Sequence, residues 1–145
     1  MPIVYMAHEK MAQMWFVRTA LAYLGTPYVW GGDDPSGFDC SGFVLECLKS
    51  AGLVGESEDY TADGLLRLFE GKVVDGPIKG GLLFYLNSRG RATHVTICLD
   101  EYFQIGASGG GSTTKDASGA WRDNAFVKIR PIRFDALKMR VVRVF

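Results

Sequence analysis

From Gly25 to Gly52 the chain reads GTPYVWGGDDPSGFDCSGFVLECLKSAG, and this stretch limits what the rest can be. Thr26-Pro27-Tyr28-Val29-Trp30 is a short extended run. Gly31, Gly32, Asp33, Asp34, Pro35, Ser36 and Gly37 follow as a dense turn cluster, since Gly takes unusual backbone angles and Asp, Ser and Pro initiate turns. A helix is expected next. Asp39 suits its N-cap, because a carboxylate there accepts an orphan backbone N–H, and Gly52 suits the residue just past its last turn. Cys40 then takes the first helical position, where free N–H groups and the helix dipole favour negative charge. The expectation is a thiol with a lowered pKa. Val44, Cys47, Leu48 and Ala51 recur at helical spacing after Cys40, so the cysteine heads the buried stripe and faces a sheet.

Residue by residue, this stretch resembles the NlpC-type cell-wall cysteine peptidases, a papain-like family of bacteria and their phages. Pro27-Tyr28-Val29-Trp30-Gly31-Gly32 is similar to the family's motif before the nucleophile. Gly37-Phe38-Asp39-Cys40-Ser41-Gly42 resembles its nucleophile motif, and Thr93-His94-Val95 its histidine strand. Together these segments span roughly Gly25 to Gly111. The chain departs from the family at Gly81, where an acidic residue is usual.

Length and charge bound the rest. A chain of 145 residues is one ordinary domain, and residues 1–145 are read as a single unit without linker or repeat. Lys plus Arg equals Asp plus Glu, 16 against 16, so no global field points to nucleic acid or an anionic membrane. No apolar stretch approaches the roughly 18 residues needed for membrane insertion. The N-terminus MPIVYMAHEK lacks the basic and apolar regions of a signal peptide, so synthesis in the cytoplasm is expected. Cys40, Cys47 and Cys98 form no CxxC pair and leave one thiol over, which argues for reduced cysteines. With two histidines and no Cys/His cluster, neither a metal site nor a cofactor is expected.

Along the chain, Met14, Val17, Leu21 and Leu24 give residues 7–24 a helical stripe widened by Trp15 and Phe16. Thr61 to Glu70 reads as a short helix. Gly81 to Leu86 is apolar enough for a central strand, and Ala92 to Leu99 alternates, with His94, Thr96 and Cys98 on one face. Asp100-Glu101 makes a hairpin into Tyr102 to Ala107. Ser108 to Gly119, nearly all Gly, Ser and Thr, is expected to be a mobile loop beside the cleft. Ala125 to Ile132 and Met139 to Phe145 supply two more strands. Helices first and strands after imply an α+β fold; the resemblance implies a papain-like core of N-terminal helices packed on an antiparallel β-sheet.

A cysteine peptidase needs a thiolate, a base that pairs with it and a group that orients the base. Cys40 is the candidate nucleophile, since Cys47 lies deeper in the stripe and Cys98 mid-strand, where thiols are core hydrophobes. His94 is the candidate base; His8 is far from any reactive candidate. The family's third polar residue falls about twelve positions after the base, at Gly106 here, which has no side chain to offer. Pairing His94 with Gly106 puts Thr96 opposite Gln104, and Gln104 then becomes the diagonal neighbour expected to accept the His94 N–H. A one-residue slip would turn it away. The resemblance implies substrate binding by Tyr28, Trp30, Asp39 and Ser41, with Asp39 receiving the free amine of a stem peptide.

These readings point to a peptidoglycan hydrolase that cuts a stem-peptide or muropeptide amide; the bond next to D-γ-glutamyl is implied by the resemblance alone. Two alternatives stay open: a non-catalytic structural or binding module, such as a phage tail component, favoured by Gly106, and an amidase or acyltransferase on the same scaffold. A cell-wall substrate beside a chain without an export signal leads to an expected phage or secretion-system delivery partner.

Overall fold

The computed structural model describes residues 3–134 and 138–145. Among these residues four α-helices, α1 (Ile3–Ala22), α2 (Cys40–Ser50), α3 (Ala62–Leu68) and α4 (Ala117–Asp123), accompany eight strands. β1 (Asp33–Asp34) and β2 (Gly37–Phe38) form a small hairpin inside the turn cluster. The main sheet contains β3 (Val73–Val74), β4 (Leu82–Leu86), β5 (Ala92–Cys98), β6 (Phe103–Ser108), β7 (Phe126–Pro131) and β8 (Met139–Val142). Their order is β3-β8-β4-β5-β6-β7, and every pairing is antiparallel. The fold is α+β, as the element pattern implies. Among the described residues no helix is long and apolar enough to cross a membrane.

One face of the sheet, through Leu82, Phe84, Val95, Ile97, Ile105, Ala107 and Val127, packs with Phe43, Val44, Cys47 and Leu48 of α2 in the main core. Burying such side chains contributes about 1.5–3 kcal/mol each, which holds α2 against the sheet. Tyr23 meets Phe38 and Phe43 edge to face, joining the end of α1 to the front of α2. The opposite face carries a smaller cluster of Leu83, Tyr85, Cys98, Ile132 and Val141.

The α1 stripe differs from the expected one. Phe16, Val17 and Ala20 are buried, whereas Leu24 and Trp15 are 45% and 50% exposed. The seam runs from the buried Phe16 and Val17 one turn on to the buried Ala20 and then to the partly buried Tyr23, a narrow stripe that the many apolar residues of this helix mask. The tract Ser108 to Gly119, expected to be a mobile loop, carries an internal hydrogen-bonded framework. Thr114 is only 1% exposed. Its hydroxyl donates to Asp123 Oδ2 at 2.7 Å and accepts from the Gly111 N–H, while its carbonyl accepts from the Trp30 N–H at 2.7 Å. Asp116 caps α4 by accepting from the Gly119 N–H at 2.7 Å. A β-carbon at Gly110 would collide with the Tyr28 ring, so the small residues here serve a close approach.

Candidate active site

Local chemistry builds the front of α2. Asp39 Oδ1 accepts from the Gly42 N–H at 2.7 Å and from the Ser41 hydroxyl at 3.3 Å. At the far end Gly52 is left-handed, and the Leu53 and Gly52 N–H groups return to the Leu48 and Lys49 carbonyls at 2.9 and 3.0 Å. Both caps follow the sequence expectation. The turn cluster presses against the helix start: the Asp39 N–H donates to the Gly32 carbonyl at 3.0 Å, and a β-carbon at Gly42 would strike that same oxygen. Glycine at 42 thus lets the helix begin directly under the β1–β2 turn.

A cleft of about 670 Å³ opens at this point, and it brings together every residue singled out from the sequence: Tyr28, Trp30, Asp39, Cys40, Ser41, His94 and Gln104. Tyr28 is fixed by its N–H to the Ala125 carbonyl at 3.0 Å, so the segment before the turn cluster runs along the end of β7. Burial, then the neighbouring Cys40 and Asp39, push its phenol up to about 12, so the hydroxyl stays protonated and able to donate. Trp30 lies more than half exposed at the rim.

His94 enters from β5 beside an irregularity: Tyr85 pairs with His94 but Leu86 pairs with Ala92, so Thr93 is the extra residue of a bulge. Burial, and secondarily the charge of Arg130, lower the imidazole to about 4. It is therefore neutral at physiological pH and competent to take a proton. The thiol departs from the sequence expectation. Burial raises the pKa of Cys40 above the ordinary thiol value, with a further push from Asp39. The backbone N–H groups of Val95, Ser41 and Cys40 act the other way without reversing it. Desolvation wins over the helix start, and the resting pair is a neutral thiol with a neutral imidazole.

Gln104 does not meet His94 in the expected way. The observed register pairs Ile97 with Ile105 and Cys98 with Gln104. Continued along the strands, it sets Thr96 opposite Gly106, two residues away from the expected pairing. The face is right and the reach is wrong. Gln104 Oε1 accepts the hydroxyls of Tyr85 and Thr96, each at 2.8 Å, and Nε2 donates to the Pro131 carbonyl at 3.0 Å. Its amide oxygen is filled by these hydroxyls, so Gln104 is not the acceptor of the His94 N–H. Tyr85, which the sequence reading passed over as a core strand residue, links the two: its ring lies against the imidazole with centroids 5.9 Å apart and planes tilted by 31°. Alternation alone places Tyr85 on the His94 face, once the β4–β5 register is known.

The departures at glycine have steric reasons. A β-carbon at Gly106 would lie 2.7 Å from Thr96 Cγ2, and one at Gly81 would lie about 3.0 Å from Ile78 Cγ1 and 3.1 Å from Val141 Cγ1. A larger side chain at either position requires its neighbours to move. Among the described residues no group of three or more His, Cys, Asp or Glu could hold a metal ion.

Residues 25–130 match the sequence model of the NlpC/P60 family. Protein P54 of Enterococcus faecium is 37% identical over 108 residues, an alignment covering 72% of this chain and 20% of that protein. The gamma-D-glutamyl-L-lysine dipeptidyl-peptidase of Bacillus subtilis (strain 168) is 35% identical over 75 residues, covering 52% of this chain and 24% of the enzyme. This chain thus spans a quarter or less of the length of either relative. In three dimensions it is similar to the peptidoglycan hydrolase RipB of Mycobacterium tuberculosis, with a TM-score of 0.72 at 24% identity over 99% of this chain and 68% of that one. That likeness reports the papain-like fold, and the sequence match carries the assignment: this chain belongs to the NlpC/P60 family, a cysteine-hydrolase family whose matched relatives include named peptidases.

Proposed function

We propose that this domain is a cysteine endopeptidase of peptidoglycan stem peptides, cleaving next to a D-γ-glutamyl residue. The observation that carries the reading is the convergence of Cys40 at the head of α2 and His94 on β5 in one cleft. In the reaction the thiol gives its proton to the neutral imidazole as the sulfur attacks the amide carbonyl. The imidazolium then protonates the leaving amine, and water releases the acyl group from Cys40. Backbone N–H groups around the sulfur and the Tyr28 hydroxyl are the donors available to the developing negative charge. Asp39 and Ser41, beside the nucleophile, take the free amine of the acyl half.

Two lines support the substrate. The cleft encloses about 670 Å³ beside Cys40 and His94, and a relative in the family is named for the γ-D-glutamyl-L-lysine linkage. Delivery by a phage particle, lysis or a secretion machine is the route we propose to such a substrate, and fractionation of producing cells tests it. The test of the activity is mass spectrometry of purified muropeptides after incubation with the wild type and with Cys40→Ala. Fragments ending at D-γ-glutamate in the wild type alone are the expected result. Identical spectra from both proteins would overturn the peptidase reading in favour of a binding module.

A further inference from the structure

The walls of the cleft and of the hollow that adjoins it carry charge of both signs. Past Asp39 and Ser41 the cleft continues into this second hollow of about 260 Å³, whose walls include Asp33, Asp39 and Asp59. Past His94 it runs over Gly106 toward Lys128, Arg130 and Arg133. The β6–β7 register sets Lys128 opposite Gly106 and Arg130 opposite Gln104, so both cations rise from the strand next to a floor that has no side chain at 106. Lys128 is anchored by its Nζ, which donates to the Asn124 carbonyl at 2.6 Å. Among the described residues neither Lys128 nor Arg130 has a carboxylate partner. The two repel: burial and then Arg130 hold the Lys128 ammonium below its ordinary range. Like charges held together at the wall of a concave site are relieved by an anion.

We propose that this end of the cleft is a carboxylate subsite for the leaving-group half of the substrate, with Lys128 and Arg130 receiving the carboxylate across Gly106. The assignment to the leaving half rests on the function proposed above, in which Asp39 takes the amine of the acyl half. The cleft would then read a peptide by its two charges, amine at one end and carboxylate at the other, with the scissile amide between them. A stem peptide offers such a carboxylate from its C-terminus or from the side chain of a diaminopimelate residue.

Three peptides separate these sources: L-Ala-γ-D-Glu-L-Lys-D-Ala with a free C-terminus, the same peptide as its C-terminal amide, and an amidated peptide with meso-diaminopimelate in place of lysine. For the wild type, kcat/KM is expected to fall about tenfold when the leaving half has no carboxylate, the scale of one charge-assisted hydrogen bond near a surface. The diaminopimelate peptide shows whether a side-chain carboxylate restores the rate. Arg130→Ala should bring the acid and amide rates together, Arg130→Lys should keep part of the difference, and added salt should shrink it. Equal kcat/KM for the acid and both amidated forms would overturn the subsite while leaving the peptidase reading intact. Binding provides a readout independent of turnover. With Cys40→Ala, the dipeptide L-Lys-D-Ala should shift the amide resonances of Gly106, Lys128 and Arg130, and its amide should not. If the wild type cuts none of the peptides, the proposed function falls and these shifts alone decide the subsite; their absence sinks it.

Discussion

The hydroxyl of Tyr85 donates to Gln104 Oε1 at 2.8 Å while its ring rests against the His94 imidazole, 5.9 Å between centroids. The side chain on β4 therefore stands between a buried amide and the base. Thr96 fills the second acceptor position of Gln104, and the Pro131 carbonyl holds its Nε2. Rotating the amide would break all of these bonds together. Gly106 offers no side chain to the histidine, and the neighbour the structure gives the imidazole on this face is the Tyr85 ring.

Tyr85 and Gln104 should act as positioning residues with graded effects. Tyr85→Phe keeps the ring, and kcat should stay within about threefold of wild type, less than the loss of one useful hydrogen bond. Tyr85→Ala removes the packing surface and should lower kcat by about tenfold or more with KM little changed. Gln104→Ala should cost about 1–3 kcal/mol in stability because buried hydroxyls lose their acceptor. Kinetics well below each melting temperature separate the two effects. An unchanged kcat in Tyr85→Ala would show that the ring does not position His94.

Cys40 and its helix were legible because the signals are local. A turn cluster, an N-cap and a C-terminal glycine all lie within one stretch of chain, and each cap forms in the structure. His94 was legible as the polar residue heading an alternating strand. What lay beyond reach was register. Asp100 Oδ1 accepts from the N–H groups of Tyr102 and Phe103 at 2.7 and 2.8 Å, drawing Tyr102 into the turn, and the Leu99 N–H meets the Phe103 carbonyl at 2.8 Å. Pairing Thr96 with Gln104 would leave Asp100 alone between the facing residues Leu99 and Glu101, whereas the observed turn holds Asp100, Glu101 and Tyr102, and these two added residues move the facing pairs by two. Composition also hid Thr114, one buried hydroxyl that organises a tract of small polar residues. The sign of the Cys40 shift was illegible for a related reason: helix position is read from neighbours in sequence, whereas burial is set by the strands that close over the thiol.

Gly106 and Thr96 should behave as a coupled pair. A β-carbon at 106 would stand 2.7 Å from Thr96 Cγ2, so Gly106→Ala should destabilise by about 1–3 kcal/mol, the usual cost of overpacking. Thr96→Ser removes the offending methyl and retains the hydroxyl that Gln104 accepts. The double variant should regain most of the loss in chemical denaturation, giving a clear coupling energy. Gly106→His should be at least as costly as Gly106→Ala. Additive effects in the cycle would show that the two side chains do not compete for this space.

Thiol labelling should single out Cys40 and do so slowly near neutral pH. Burial pushes Cys98 up to about 12 and Cys47 further still, and both are buried, whereas Cys40 is partly exposed in the cleft. Its own pKa lies above the ordinary value, so iodoacetamide modification should accelerate through and beyond pH 9 instead of reaching a plateau below neutrality. Peptide mapping of labelled folded protein across pH checks both points. A rate plateau in mildly acidic solution would mean that the resting pair is already thiolate and imidazolium.

His94 should leave a signature in both stability and turnover as pH falls. Its folded pKa of about 4 lies below the ordinary 6.5, so the folded protein binds this proton less readily than the unfolded chain. Its contribution to stability is complete above about 6.5 and is lost as pH falls toward about 4, because the unfolded state takes up the proton first. The thermal midpoint of wild type should therefore drop across that window more steeply than that of His94→Gln, which has nothing to titrate there. Turnover should follow the same group in the folded protein. Since the base must be neutral to accept the thiol proton, kcat/KM should hold through the mildly acidic range and fall only near pH 4. Matching melting curves for wild type and His94→Gln between these limits, or an acid limb of kcat/KM near 6.5, would show that burial does not depress the imidazole.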